Sequence, residues 1–186
     1  MQQRNKLIKS MLSSILLSTA TMTGSAIAGT GTVNFTVNIR TNEFLLPAET
    51  CASGMSGIGV GAGTTNLFTK KPATDKTTAV LSSFDCVNPG KDGNTFFFGP
   101  GKFTLTGPDG ETIFATYSGT LYPNGVNPVS GLPVFQFDKD AVFNIQGGTG
   151  RYAKAVGSGI LSGTESINQA AGTAQGILSA VGRIVY

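Results

Sequence analysis

The stretch Phe143-Asn144-Ile145-Gln146-Gly147-Gly148-Thr149-Gly150-Arg151-Tyr152-Ala153-Lys154-Ala155-Val156-Gly157-Ser158-Gly159-Ile160-Leu161 has a second copy forty positions earlier, from Phe103 to Leu121. The copies align Phe103 with Phe143, Leu105 with Ile145, Gly107 with Gly147, Gly110 with Gly150, Ala115 with Ala155, Gly119 with Gly159 and Leu121 with Leu161. A period of this length marks a repeated supersecondary unit. Each copy reads as an alternating strand, a glycine turn and a second alternating strand, which is a β-hairpin. In the first copy the turn is Gly107-Pro108-Asp109-Gly110, where proline pre-sets φ and glycine accepts a positive φ. In the second, Gly147, Gly148 and Gly150 take that place, with Gly148-Thr149-Gly150 as a looser turn.

Outward from the repeats, the chain continues as strands. Thr32 to Arg40 alternates Val33, Phe35, Val37 and Ile39 against polar residues and is a half-buried strand. Glu43 to Lys76 is looser and contains the ladder Gly57-Ile58-Gly59-Val60-Gly61-Ala62-Gly63. Two readings of that ladder stand: a strand whose bare face receives a large neighbour or bends, or a Gly-rich surface loop. Thr78 to Val87 is a strand with Val80, Phe84 and Cys86 on one face, and Asn88 to Asn94 is a turn cluster. Phe96-Phe97-Phe98 puts aromatics on both faces of the next strand. After the first repeat and a loop from Tyr122 to Pro133, Val134 to Asp138 and Ala141 to Gln146 lead into the second repeat, and Gln175 to Tyr186 is a last strand. The expected fold is all-β, an antiparallel barrel of about eight strands built largely of hairpins, since closure removes exposed edges.

Residues 1–28 read as a signal peptide, with Arg4, Lys6 and Lys9 before an apolar run and a small-x-small site at Ala26-Ile27-Ala28. Residues 29–186 then form a single domain, exported to the periplasm or the medium. Three of the 13 basic residues lie in the signal and all 10 acids follow it, so the remainder balances at 10 against 10. Such a chain offers no electrostatic footprint for nucleic acid or an anionic membrane. Histidine is absent, which removes the commonest general base and transition-metal ligand, and no cofactor or metal is expected. Cys51 and Cys86, the two cysteines, are expected to pair in an oxidising compartment.

Gly148-Thr149-Gly150-Arg151-Tyr152-Ala153 matches G-x-G-x-x-A, but a dinucleotide site needs a helix to start there, and the residues that follow mirror a strand. Asp109 with Glu111 and Asp138 with Asp140 are close acidic pairs that acid–base chemistry or calcium could use; both sit at expected turns, where acids are simply solvated. Within the hairpins Phe103, Leu105, Phe143 and Ile145 share the interior. A barrel of about eight strands is just filled by side chains or holds one small ligand. The residues set against such a pocket are Phe103, Tyr117, Phe143 and Tyr152, with the two tyrosines as polar handles.

Gly147-Gly148-Thr149-Gly150-Arg151-Tyr152, followed by Ala155 and Gly157, resembles the G-G-T-G-[RK]-[FY]-x-x-A-x-G signature of exported bacterial proteins related to the dirigent and allene oxide cyclase barrels. The resemblance implies an eight-stranded antiparallel barrel whose cavity, in the plant members, handles small apolar or phenolic molecules. Three functions follow as expectations. The first is a binder of a small apolar ligand or partner without turnover. The second is a dirigent- or cyclase-like catalyst, which paired acids lining an apolar cavity would favour. The third is an outer-membrane barrel, which would need an apolar outer band.

Overall fold

The computed structural model describes residues 31–186, so the expected signal segment, residues 1–28, lies outside the described residues. Nine strands follow in order: β1 (Thr32–Pro47), β2 (Met55–Thr65), β3 (Thr77–Pro89), β4 (Phe96–Thr106), β5 (Thr112–Val126), β6 (Pro133–Phe137), β7 (Val142–Gly148), β8 (Val156–Asn168) and β9 (Thr173–Val185). All pairings are antiparallel, and the sheet closes on itself through eight positions. Strands β1 to β5 pair in succession, β8 pairs with β9, and β9 returns to β1. The place between β5 and β8 is shared. Strand β7 occupies one half, opposite Ile113 to Ser118, and β6 the other, opposite Tyr122 to Val126. The expected barrel of about eight strands is the observed architecture, with one position split in two.

Both repeats are hairpins, β4–β5 and β7–β8. The first turns tightly: the Gly110 N–H donates to the Gly107 carbonyl at 3.1 Å and Gly110 takes φ +80°. The second does not. Gly150, at φ +58°, opens a short 3-10 turn, Gly150–Tyr152, which buries Tyr152. That tyrosine needs a longer connection because it packs under the barrel end rather than at a loop tip.

Several boundaries differ from the sequence expectation, among them β5, which runs on through Tyr122 to Val126 of the expected loop. Strand β1 runs on past Arg40 to Pro47 in unbroken phase, so Thr41, Glu43 and Leu45 continue the inward row of Phe35, Val37 and Ile39. The glycine ladder is strand β2, not a surface loop, and its bare face is the inner one. Large neighbours lie across it: a Cβ at Gly61 would stand 2.5 Å from Ile39 Cγ2. On β3, the face carrying Val80 and Phe84 is the outer one, while Ala79, Leu81, Asp85 and Val87 are buried. Of the three consecutive phenylalanines, Phe96 and Phe98 turn inward and Phe97 stays exposed.

One end of the barrel is sealed. The Tyr152 hydroxyl donates to the Leu67 carbonyl in the β2–β3 connection, Phe68 packs edge-on against Tyr152 with ring centroids 5.5 Å apart, and Tyr186 lies 4.7 Å away on its other side. Above this plug Phe143, only 1% exposed, meets Phe35 and Phe103 at 5.8 and 6.1 Å. Truncating a phenylalanine so placed costs about 3–5 kcal/mol. At the opposite end Cys51 and Cys86 form the expected disulfide, Cα–Cα 5.4 Å, tying the β1–β2 connection to β3. Closing a loop of this size stabilises by roughly 3–4 kcal/mol in the chain-entropy description.

Candidate functional site

Above the plug, the barrel encloses a cavity of about 540 Å³. Its wall is mostly hydrocarbon, because the inward rows of β1, β3, β4, β7 and β8 are the apolar alternates of half-buried strands. The lining extends to Leu46, Pro47 and Met55 around the β1–β2 connection and to Gln169 and Gly172 at the β8–β9 turn. These segments meet at the end away from the plug, where the Leu45 N–H donates to the Gly172 carbonyl at 2.9 Å. That end is the mouth.

Three acids interrupt the apolar wall: Glu43 on β1, Asp85 on β3 and Glu165 on β8. Each follows the inward phase of its strand, two residues beyond Thr41, Ser83 and Gly163 respectively, so alternation alone turns each carboxyl into the barrel. Among the described residues they are the charged groups of the wall, and no lysine or arginine stands with them. The glycines of β2 make the room. A methyl group at Gly57 would overlap Glu43 Oε1 and stand 2.9 Å from Asp85 Oδ1. Two carboxyls thus converge where one residue has no side chain.

The fourth member of the cluster is Tyr117 on β5, whose hydroxyl donates to Asp85 Oδ2 at 2.6 Å. Asp85 Oδ1 is buried without a hydrogen-bond partner. Burial raises the Asp85 pKa; the Tyr117 hydroxyl, and more weakly the nearby Gly57 amide, which forms no hydrogen bond of proper geometry to it, pull it back by favouring the ionised form. Burial pushes Glu43 and Glu165 above the ordinary carboxylate range; like charge on Glu165 and Asp85 raises Glu43 further, and Asp85 does the same to Glu165. Tyr117 is held well above its usual value by burial and by the Asp85 charge. At neutral pH the cluster therefore retains protons that solvated acids would lose. It contains carboxyls able to donate a proton and, in Asp85 Oδ1, an oxygen open to accept a hydrogen bond. Among the described residues no three acids, histidines or cysteines gather closely enough to hold a metal ion.

The residues set against a pocket from sequence divide in two. Phe103, Tyr117 and Phe143 line the cavity. Tyr152 does not: it is fully buried in the plug, with its hydroxyl committed to the Leu67 carbonyl and the Arg151 guanidinium 4.9 Å from its ring centroid. The acidic pairs noted from sequence are elsewhere as well. Asp140 Oδ1 accepts from the Thr120 N–H at 3.1 Å and its Oδ2 from the Thr120 hydroxyl at 2.6 Å, while Glu111 pairs with Arg151 at 3.2 Å. Both brace connections on the barrel exterior. The acids of the cavity went unmarked in sequence because each stands alone in its own strand. The available signal was phase: Glu43 continues the row of Ile39, and Glu165 that of Leu161.

Comparison with family models, curated proteins and solved structures returned no match for this chain.

Proposed function

We propose that this is an exported barrel that takes one small, mainly apolar molecule into its cavity, with the polar end of that molecule at Glu43, Asp85, Glu165 and Tyr117. The observation that carries this reading is the roomy apolar cavity with a single polar cluster in its wall, the pattern of small-molecule sites generally. The disulfide supports export, since such bonds persist in oxidising compartments. The eight-position closure supports kinship with the dirigent and allene oxide cyclase barrels. Against an outer-membrane role, whose lumen is polar, the interior row Phe35, Val37 and Ile39 is apolar and Asn34, Asn38 and Arg40 face out along β1; for it stand the exposed Ile58, Val60, Val80, Ile160, Ile177 and Val181 on other strands.

Native against denaturing mass spectrometry of protein purified from its own export route tests the reading. A discrete small mass that leaves on denaturation is expected. A Leu178→Trp variant narrows the cavity and gives the otherwise tryptophan-free chain a reporter within it. It should lose that mass while keeping its disulfide and cooperative unfolding. Retention of the mass in the variant would place the molecule elsewhere.

Turnover is a second reading, favoured by the paired acids that line the cavity. Glu43 and Glu165 retain protons and can act as acid, while Asp85, whose Oδ1 is left open, is the candidate base for a cyclase- or isomerase-like proton transfer. The molecule recovered from the protein, returned to it in D2O, would then take up deuterium or change isomer with wild-type protein but not with Asp85→Asn.

A further inference from the structure

Building on the cavity reading above, we infer that the bound molecule is an organic cation: a protonated amine carried on an apolar body. The acids lining the cavity have no basic residue beside them among the described residues, so the wall presents carboxyl oxygens with no cation to answer them. Independently, Asp85, only 5% exposed, turns Oδ1 toward Glu43 with no partner, although its other oxygen is bonded by Tyr117. A buried acceptor left open is expensive, which makes it a mark of a group that arrives from outside.

The chemistry of that group follows from what is missing. An ammonium offers three N–H donors, no acceptor and one positive charge, and so answers Asp85 Oδ1 and the Glu43–Glu165 pair together. A hydroxyl offers one donor and no charge. A carboxylate brings acceptors only and has no N–H or O–H for Asp85 Oδ1. A bare metal ion would need the three acids drawn in closer than they stand. The rest of the molecule is set by the wall on either side of the acids: Leu45 and Val87 toward the mouth, Phe103 and Phe143 toward the plug. Hydrocarbon there gains from burial as the ammonium gains from charge.

Displacement of N-phenyl-1-naphthylamine, an uncharged fluorescent probe, from the disulfide-intact protein by decylamine, 1-decanol and decanoic acid separates the alternatives. Decylamine should compete at least about tenfold more strongly than 1-decanol, with decanoic acid weakest. Asp85→Asn should bring decylamine to within about twofold of 1-decanol while leaving 1-decanol unchanged. Glu165→Gln provides a second variant should the first not fold. Calorimetry in two buffers of different ionisation enthalpy should show release of about one proton per decylamine bound, as the Glu43–Glu165 pair ionises against the ammonium. Equal competition by alcohol and amine would overturn the cationic ligand and leave the cavity reading standing. Failure of the neutral probe to enter at all, or its undiminished binding to Leu178→Trp, would overturn both.

Discussion

Asp140 and Asp85 are both aspartates of one barrel, and their surroundings give them opposite work. Asp140 sits outside at the start of the β7 hairpin, exposed, with both oxygens accepting from Thr120. Asp85 sits inside, desolvated, with one oxygen bonded and one bare. The exterior acid stabilises the fold because its charge keeps its water and satisfies buried donors. The interior acids oppose it, since burial without a counter-charge disfavours the ionised form. A protein that keeps such a cluster holds it for something other than stability.

The largest expected effect is on pH. The folded-state pKa values of Glu43 and Glu165 lie above the unfolded carboxylate value of 4.5, so between the two values the folded chain binds more protons than the unfolded one. Stability is then highest below pH 4.5 with respect to these groups and falls as pH rises, by about 1.4 kcal/mol per pH unit for each extra proton held. Urea unfolding from pH 5 to pH 8 should show this decline, and Glu43→Gln should flatten it. A wild-type profile that rises across this range would mean that the cluster is solvated and would erase the contrast with Asp140.

A smaller effect, about 2 kcal/mol of destabilisation, is expected for Asp140→Ala, which strands the N–H and hydroxyl of the buried Thr120. Denaturant midpoints would measure it. If Asp140→Ala instead stabilised the protein, the two aspartates would be alike after all. The smallest effect belongs to Asp92 in the β3–β4 turn. Its Oδ1 accepts from the amides of Asn94 and Thr95 and from the Thr95 hydroxyl, which lowers its pKa. Its contribution is present above the unfolded value and is lost as pH falls through the folded one, the opposite sign to the cluster. Asp92→Asn should lower the thermal midpoint slightly at pH 7 and not at all near pH 2.

The two repeat copies show how far alternation could be read. Phe103 and Phe143 were matched by pattern, and they meet inside the barrel because each begins the inward row of its hairpin. Tyr117, a polar handle on the same row, lines the cavity for the same reason. Tyr152, the other such handle by sequence, stands in the plug, because its turn folds as a 3-10 turn beneath the sheet. The β2 glycines left two readings open, since a bare strand face and a mobile loop have the same composition. The neighbours that cross that face, Ile39 from β1 and Ser83 from β3, come from other strands.

The sequence by itself determined that the chain alternates, turns at glycines and repeats a hairpin, and therefore that it closes as an antiparallel all-β barrel carrying one pair of cysteines. Those properties are local, set by period two and turn chemistry within a few residues. Only the tertiary structure decided which face of β3 is inner, that β6 and β7 share one position, and that Glu43, Asp85 and Glu165 meet. Their meeting depends on the register of strands far apart in the chain and on the space that glycines in a fourth strand leave open, and no local pattern encodes a distance between strands.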